Sequence, residues 1–223
     1  MADRIRQNRF DLSLLPKRPD LSFEQPIWQA GIKHIAGIDE AGRGALAGPV
    51  AAGAVILNPD PELQQILHGV HDSKQLTLAQ RQFWAGCIRF QAAAWGIGYA
   101  SSSEIDALGI VPAIHLATKR ALDSLFVLPE HLLLDCLLLP DYPLPQTALI
   151  KGDCRSLSIA AASILAKTER DVLMIEMEQQ YPGYDFGRHK GYGTTRHLQA
   201  IERWGPSPIH RLSFKPMFYQ QGK

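Results

Sequence analysis

Two apolar segments, residues 34–41 and 48–57, are joined by a short glycine-framed turn, and the first ends in adjacent carboxylates, Asp39 and Glu40. That arrangement restricts the fold. Strand-like composition on both sides of Gly42-Arg43-Gly44 predicts two neighbouring strands with acidic side chains at one end. Through Ala47 the turn also satisfies the loose dinucleotide pattern G-x-G-x-x-G/A, which needs a helix starting inside the turn and an acid about 20 positions on. Pro49, Val50, Val55 and Ile56 argue for a strand instead, and no such acid is clearly present. The dinucleotide reading is rejected. Adjacent carboxylates buried without partners are costly. They make sense where a cation holds them and where the following arginine and backbone N–H groups meet an anion. The pattern points to metal-assisted chemistry on a phosphate.

The rest of the chain extends this hairpin into an α/β domain around a mixed sheet. Thr77 is placed to cap a helix over 78–91, and 92–100 reads as a third strand. Ser103 and Glu104 open a further helical stretch, and Pro112 suits the first turn of a helix running to about Phe126. The apolar run 131–139, closed by Pro140, reads as a buried strand, and 146–151 as another. Helix formers fill 156–180 until Pro182, and 195–204 reads as a last helix. Early strands in hairpin order, then alternating helices and strands, imply a mixed sheet flanked by helices, with a mostly helical C-terminal third. Residues 1–33 are polar, carry Pro16, Pro19 and Pro26, and show no sustained period. They read as a mobile or loosely docked N-terminal arm. The expected division is arm 1–33, catalytic core 34–180 and C-terminal substrate-binding segment 181–223.

Net charge is only +1 over 223 residues, which argues neither for nor against a nucleic-acid partner. Its distribution is more informative. From Arg188 to Lys223 there are seven Lys or Arg against one acid, Glu202, with His189, His197 and His210 added. A basic end of this kind suits an anionic partner or a solvated tail. Cys87, Cys136 and Cys154 have no C-x-x-C spacing and suggest neither a disulfide framework nor a zinc site. A reduced, cytoplasmic protein is expected. No apolar run approaches a membrane span. No protein partner is legible, and a monomer is expected.

Two more acids complete a candidate site. Asp135 stands alone between Leu132-Leu133-Leu134 and Leu137-Leu138-Leu139. A carboxylate in a buried strand needs a partner, unless strand alternation turns it outward. Asp153, in Lys151-Gly152-Asp153, precedes a helix, where capping is a common role. Its position beside a strand end also suits a site. Four carboxylates without His or Cys at ligand spacing favour a hard divalent cation, Mg²⁺ or Mn²⁺. Two such ions about 3.5–4 Å apart suit an in-line phosphoryl displacement. Lys74 is a candidate phosphate contact or a surface lysine. Tyr192, within His189-Lys190-Gly191-Tyr192-Gly193, is a candidate for stacking on a sugar or base, or for local packing.

Taken in order, these segments resemble ribonuclease HII, the type 2 ribonuclease H of bacteria. The matching pieces are Gly37-Ile-Asp-Glu-Ala-Gly-Arg-Gly44, Ala47-Gly-Pro-Val50, Asp72-Ser-Lys74, Leu134-Asp135, Lys151-Gly-Asp153, Ser156 to Lys167 with Arg170-Asp171, Tyr181-Pro182, His189-Lys-Gly-Tyr192 and Arg211-Leu-Ser-Phe214. The resemblance implies a ribonuclease H-like fold with a C-terminal helical extension. It implies endonucleolytic cleavage of RNA in RNA–DNA hybrids and at single ribonucleotides embedded in duplex DNA, leaving 3′-OH and 5′-phosphate ends. It aligns Asp39, Glu40, Asp135 and Asp153 with the family's metal-binding carboxylates. It aligns Gly42, Arg43 and Gly44 with the turn that recognises the ribose 2′-OH and nearby phosphates, Tyr192 with the tyrosine at the RNA–DNA junction, and Lys74 with a backbone-binding motif. The related type HIII carries Gly-Thr-Gly in that turn and a longer N-terminal domain, so type HII is preferred. Ala45 departs from the family's frequent proline. Another metal-dependent nuclease on the same type of fold, or a non-catalytic hybrid binder, is the alternative.

Overall fold

Chain order in the computed structural model, which describes residues 11, 13, 15–140 and 142–217, runs α1 (Glu24–Gln29), β1 (Ile35–Ala41), β2 (Val50–Leu57), α2 (Leu63–Ile66), α3 (Leu78–Gln91), β3 (Ala92–Ala100), α4 (Ser102–Leu108), α5 (Ile110–Asp123), β4 (His131–Asp135), β5 (Gln146–Leu149), α6 (Leu157–Gln180), α7 (Phe186–His189) and α8 (Thr195–Trp204). The strands form one mixed sheet in the order β3-β2-β1-β4-β5. β1 pairs antiparallel with β2, and β2 with β3; β1–β4 and β4–β5 are parallel. This is the expected mixed α/β sheet. Thr77 caps α3 in a reciprocal box with Gln80, as its spacing predicts.

Helices cover both faces of the sheet. On one face α5 packs Ala113, Ile114, Ala117 and Ala121 against Ala36, Ile38, Ala52, Ala54 and Leu134. On the other, α6 lies close because small residues meet: a Cβ on Gly37 would be 2.5 Å from the Ile159 nitrogen, and one on Gly53 would be 2.5 Å from the Ala162 oxygen. Side chains alternate along a strand. In β1, therefore, Ile38 faces α5, whereas Gly37 and Asp39 face α6. Among the described residues no helix is long and apolar enough to cross a membrane.

Three expectations need correction. The run 131–139 is not strand throughout: β4 ends at Asp135, because Cys136 takes a left-handed φ of 69° and the Leu137 N–H turns back to the Asp135 carbonyl at 2.8 Å. The helical stretch expected to reach Phe126 stops at Asp123. The arm is not loose where it is described. Leu21 and Glu24 are fully buried, and Phe23, Ile27 and Trp28 pack on Ile35, Leu133, Leu149 and Ile159. Polar composition concealed a short apolar face. The arm's residues 1–10, 12 and 14 lie outside the described residues.

Candidate active site

β1 and β4 are parallel neighbours, with Ile38 beside Leu134, and the next residue of each is a carboxylate, Asp39 and Asp135. Both emerge at the same edge and, by alternation with Gly37 and Leu133, on the α6 face. After β5, a three-residue 3₁₀ turn, Gly152–Cys154, brings Asp153 to the same place. Ligand oxygens of Asp39, Asp135 and Asp153 lie within 4.8 Å of one another. The Gly152 N–H donates to Asp135 Oδ1 at 2.8 Å, tying β4 to the Asp153 turn. Glu40 is not in this trio. As the next residue along β1 it starts from the opposite face, and its Oε1 lies 3.5 Å from Arg43 Nη1.

The trio is electrostatically incomplete. Burial first, and then repulsion from Glu40, Asp135 and Asp153, push the Asp39 carboxyl well above its usual pKa, against a hydrogen bond from Ser163. Burial raises Asp135 despite the Gly152 hydrogen bond, and raises Glu40 despite Arg43. Burial opposes the Lys74 ammonium, yet Asp153, Asp39, Asp72 and Asp135 together hold its pKa above the ordinary lysine value. Asp153 Oδ1 is buried and has no hydrogen-bond partner among the described residues. An unsatisfied carboxylate oxygen beside the buried Asp39 and the half-buried Asp135 fits a hard divalent cation, which would offset most of their charge. A second grouping, Asp72, Asp153 and Cys154, fits less well. Asp72 is occupied by the Lys74 N–H and the Gln75 amide, and burial with the Asp153 charge pushes the Cys154 thiol up to about 11.

Asp39, Glu40 and Asp135 line a cleft of about 550 Å³ together with Gly42, Arg43, Gly44, Lys74 and Tyr192. The two glycines of the turn differ. Gly42 has φ +89°, and a Cβ there would be 2.6 Å from the Arg170 Cζ; around Gly44 nothing lies within 4 Å of a Cβ. Among the described residues no acceptor takes the Arg43 or Gly44 N–H. The turn and the Tyr192 loop, distant in sequence, form one unit. The Gly191 carbonyl accepts from the Leu46 N–H at 2.7 Å and the Ala47 N–H at 3.3 Å. Lys167 Nζ and the Arg170 guanidinium lie 5.4 and 5.5 Å from the Tyr192 ring centroid.

The ribonuclease HII family model matches residues 36–217. The chain belongs to the ribonuclease HII family. Ribonuclease HII of Dehalococcoides mccartyi is 48% identical over 89% of this chain and 94% of its own length. Ribonuclease HII of a Synechococcus strain is 53% identical over 90% of each. Among solved structures, ribonuclease H2 from Pyrococcus horikoshii OT3 superposes with a TM-score of 0.68 at 27% identity, over 84% of this chain and 97% of that one. RNase HII from Archaeoglobus fulgidus, solved in complex with PCNA, gives a TM-score of 0.63 at 26% identity, over 82% and 95%. The chain is therefore a divalent-metal-dependent ribonuclease H, an endonuclease acting on RNA–DNA hybrids.

The residues that shape this ribonuclease HII cleft include several that carried no role in the sequence reading. Arg170 is fully buried and donates to three carbonyls: Pro49 at 2.8 Å, Lys190 at 2.9 Å and Ala47 at 3.1 Å. Arg211, also fully buried, donates to Gly48 O at 3.0 Å and Arg43 O at 2.9 Å. Burial and the neighbouring Arg170 charge push Arg211 down to about 9. Arg211 thus staples the Gly42–Gly44 turn at Arg43 O, while Arg170 packs against Gly42. Part of the C-terminal basic excess is thus internal: Arg211 is buried with His189, His197 and His210. Lys190 Nζ donates to the Gly187 carbonyl, and Arg196 pairs with Asp185 at 2.9 Å. Arg81 and Lys167 also line the cleft, both held by Asp171, at 3.4 and 2.8 Å. The charged run Lys167-Thr-Glu-Arg-Asp171, directly after the apolar start of a helix, was the available signal for buried ionic structure.

Proposed function

We propose that Asp39, Asp135 and Asp153 hold the divalent cations, Mg²⁺ or Mn²⁺, with Glu40 reaching the same edge from the other face of the sheet. On this reading the enzyme cuts the RNA strand of hybrids and the 5′ side of single ribonucleotides in duplex DNA, leaving 3′-OH and 5′-phosphate ends. The observation that carries it is the convergence of three carboxylates from separate chain segments within 4.8 Å, two of which, Asp39 and Asp135, line the same cleft as the glycine turn. All-oxygen donors accept either metal. When bound, such ions lower the pKa of an attacking water and offset charge on the leaving oxygen.

The chain's own groups supply position and selectivity. The 2′-OH distinguishes RNA from DNA at a given sugar. The Arg43 and Gly44 N–H groups, without acceptors among the described residues, are available to bind it, and the open space at Gly44 admits the ribose. Arg43 and Lys74 are suited to the phosphates, and the Tyr192 ring, 36% exposed, to stacking at the RNA–DNA junction. The whole site comes from one chain, which suits a monomer. Residues 34–180 act as the catalytic core, and 181–223 contribute substrate binding through the Tyr192 loop, behind the short arm 1–33. A chromosomal substrate makes the cytoplasm the working compartment.

The test is incubation with Mg²⁺ or Mn²⁺ and a duplex containing one ribonucleotide, with end mapping. Cleavage on the 5′ side, lost in Asp39→Asn while hybrid binding persists, is expected. Full activity in that variant would remove the carboxylate site from the mechanism.

A further inference from the structure

The catalytic reading leaves unexplained a fully buried carboxylate, Glu24, contributed by the N-terminal arm. One of its oxygens takes every bond. Glu24 Oε1 accepts from Ser156 Oγ at 2.6 Å, Ser158 Oγ at 2.6 Å and the Ser158 N–H at 3.0 Å, while Oε2 is buried without a partner among the described residues. No arginine or lysine pairs with it among the described residues. A buried carboxylate with one oxygen unsatisfied is a costly way to fill space. Its bonds converge on one object, the junction between the Asp153 turn and α6.

Locally that junction is held by a short turn and by the Gly152 bond to Asp135. Asp153 sits in the middle of a three-residue 3₁₀ turn, preceded by Lys151 in a left-handed conformation with φ 58°. The turn closes on itself through the Cys154 N–H, donating to Lys151 O at 3.1 Å, and the Arg155 and Ser156 N–H groups, both donating to Gly152 O at 2.9 Å. Ser156 is also the N-cap of α6, its Oγ accepting from the Ile159 N–H at 3.3 Å. The first N–H groups of a helix need outside acceptors. Here the arm supplies two of them: Leu157 N–H donates to Asp20 O at 2.8 Å, and Ser158 N–H to Glu24. The Asp20 N–H returns a bond to Arg155 O at 3.1 Å. Residues 20–24 therefore grip 155–158 from both sides. A Cβ on Gly37 would already meet the Ile159 nitrogen at 2.5 Å, so β1, which carries Asp39, is in contact with the same helix start.

We propose that Glu24 is a positioning residue for the metal site, holding the Ser156–Ser158 junction so that Asp153 stays within reach of Asp39 and Asp135. The arm is then part of the catalytic apparatus through its last residues. The inference rests on the carboxylate site proposed above. Partners that orient metal ligands are commonly worth 10–100-fold in metal affinity or activity.

The test measures Mn²⁺ binding by calorimetry without substrate, and kcat and KM on a duplex with one ribonucleotide. Glu24→Ala should weaken Mn²⁺ binding and kcat by about 10-fold each, with KM for the duplex little changed. Glu24→Gln keeps an acceptor oxygen and should recover most of both losses. Leu125→Ala, a core truncation remote from the cleft, should lower Tm but leave Mn²⁺ affinity and kcat at wild-type values. If Glu24→Ala does not fold, Ser156→Ala removes the hydroxyl between Glu24 and the turn and carries the same expectation. Wild-type Mn²⁺ affinity and kcat in the Glu24 or Ser156 variant, or equal losses in Leu125→Ala, would overturn the proposal. Asp153→Asn run in parallel separates the two readings. Unchanged Mn²⁺ binding there defeats the carboxylate site itself. Weakened binding there alongside an unaffected Glu24→Ala defeats only the positioning role.

Discussion

Alanine at each glycine of the Gly42-Arg43-Gly44 turn should separate stability from activity. At Gly42 the backbone has φ +89°, and the new methyl would lie 2.6 Å from the Arg170 Cζ. Left-handed backbone at a non-glycine residue costs about 1–2 kcal/mol. Displacing a packed neighbour adds about 1–3 kcal/mol. The neighbour is a buried guanidinium bonded to three carbonyls, so it cannot swing away without leaving them unpaired. Gly42→Ala should therefore lose roughly 2–5 kcal/mol. For a chain of this size that is a fall in Tm of about 4–20 °C. Gly44→Ala meets nothing within 4 Å and has no positive φ. It should leave Tm unchanged or raise it, since alanine narrows the unfolded ensemble by about 0.4–1 kcal/mol. Yet its methyl projects into the cleft where the ribose is proposed to sit, and a displacement of about 1 Å at a reacting centre can cost about 100-fold. Thermal melts and single-ribonucleotide cleavage, run on both variants, make the comparison. A Gly44→Ala enzyme with wild-type kcat/KM, or one that melts as early as Gly42→Ala, would refute the division of roles.

Three further outcomes follow from the geometry. Asp39, Glu40 and Asp135 have raised pKa values through burial and repulsion from neighbouring carboxylates, so in the metal-free protein these three groups cost no stability below the ordinary carboxylate pKa of about 4 and become destabilising as pH rises through the raised values. Metal-free Asp39→Asn should accordingly melt higher than wild type at pH 7–8, with the gain shrinking toward pH 4 and reversed by excess Mn²⁺, which stabilises only the wild type strongly; no gain at pH 8 would contradict the electrostatic account. Tyr192→Ala should lose about 10–100-fold on a single embedded ribonucleotide, the scale of one stacking contact, and less on continuous hybrid; equal losses on the two substrates would count against a junction role. Arg211→Met should cost about 3 kcal/mol, because Gly48 O and Arg43 O lose their buried donor, and a melting temperature within 2 °C of wild type, read by calorimetry, would show that the staple is dispensable.

Much of the fold was legible because it is written locally. The bounds of α3, β3 and α8 follow from caps, prolines and apolar runs, and they appear where the sequence puts them. The turn after Glu40 could be read as joining two strands, since Pro49 and the β-branched residues after it leave no room for a helix. β4 was read too long because Leu137-Leu138-Leu139 continues the apolar pattern; the stop at Cys136 is a backbone turn, with Leu138 left exposed, and hydrophobicity carries no sign of it. The arm was read too loosely because its apolar face spans little more than one helical turn, too short for periodicity to register.

Composition and order along the chain were enough to name the acids, the glycines and the tyrosine, since residue type and spacing already restrict which chemistry is affordable. They could not say that Asp39 and Glu40, adjacent in sequence, start from opposite faces of a sheet, while Asp39 and Asp135, far apart in the chain, share one. That outcome belongs to strand pairing: parallel alignment of β1 with β4 sets two carboxylates at one edge, and period-two alternation turns both toward α6. The buried guanidinia of Arg170 and Arg211 and the grip of Glu24 on Ser156 are likewise contacts between distant segments. They exist only once the chain has closed around them, because each depends on acceptors that no neighbouring residue supplies.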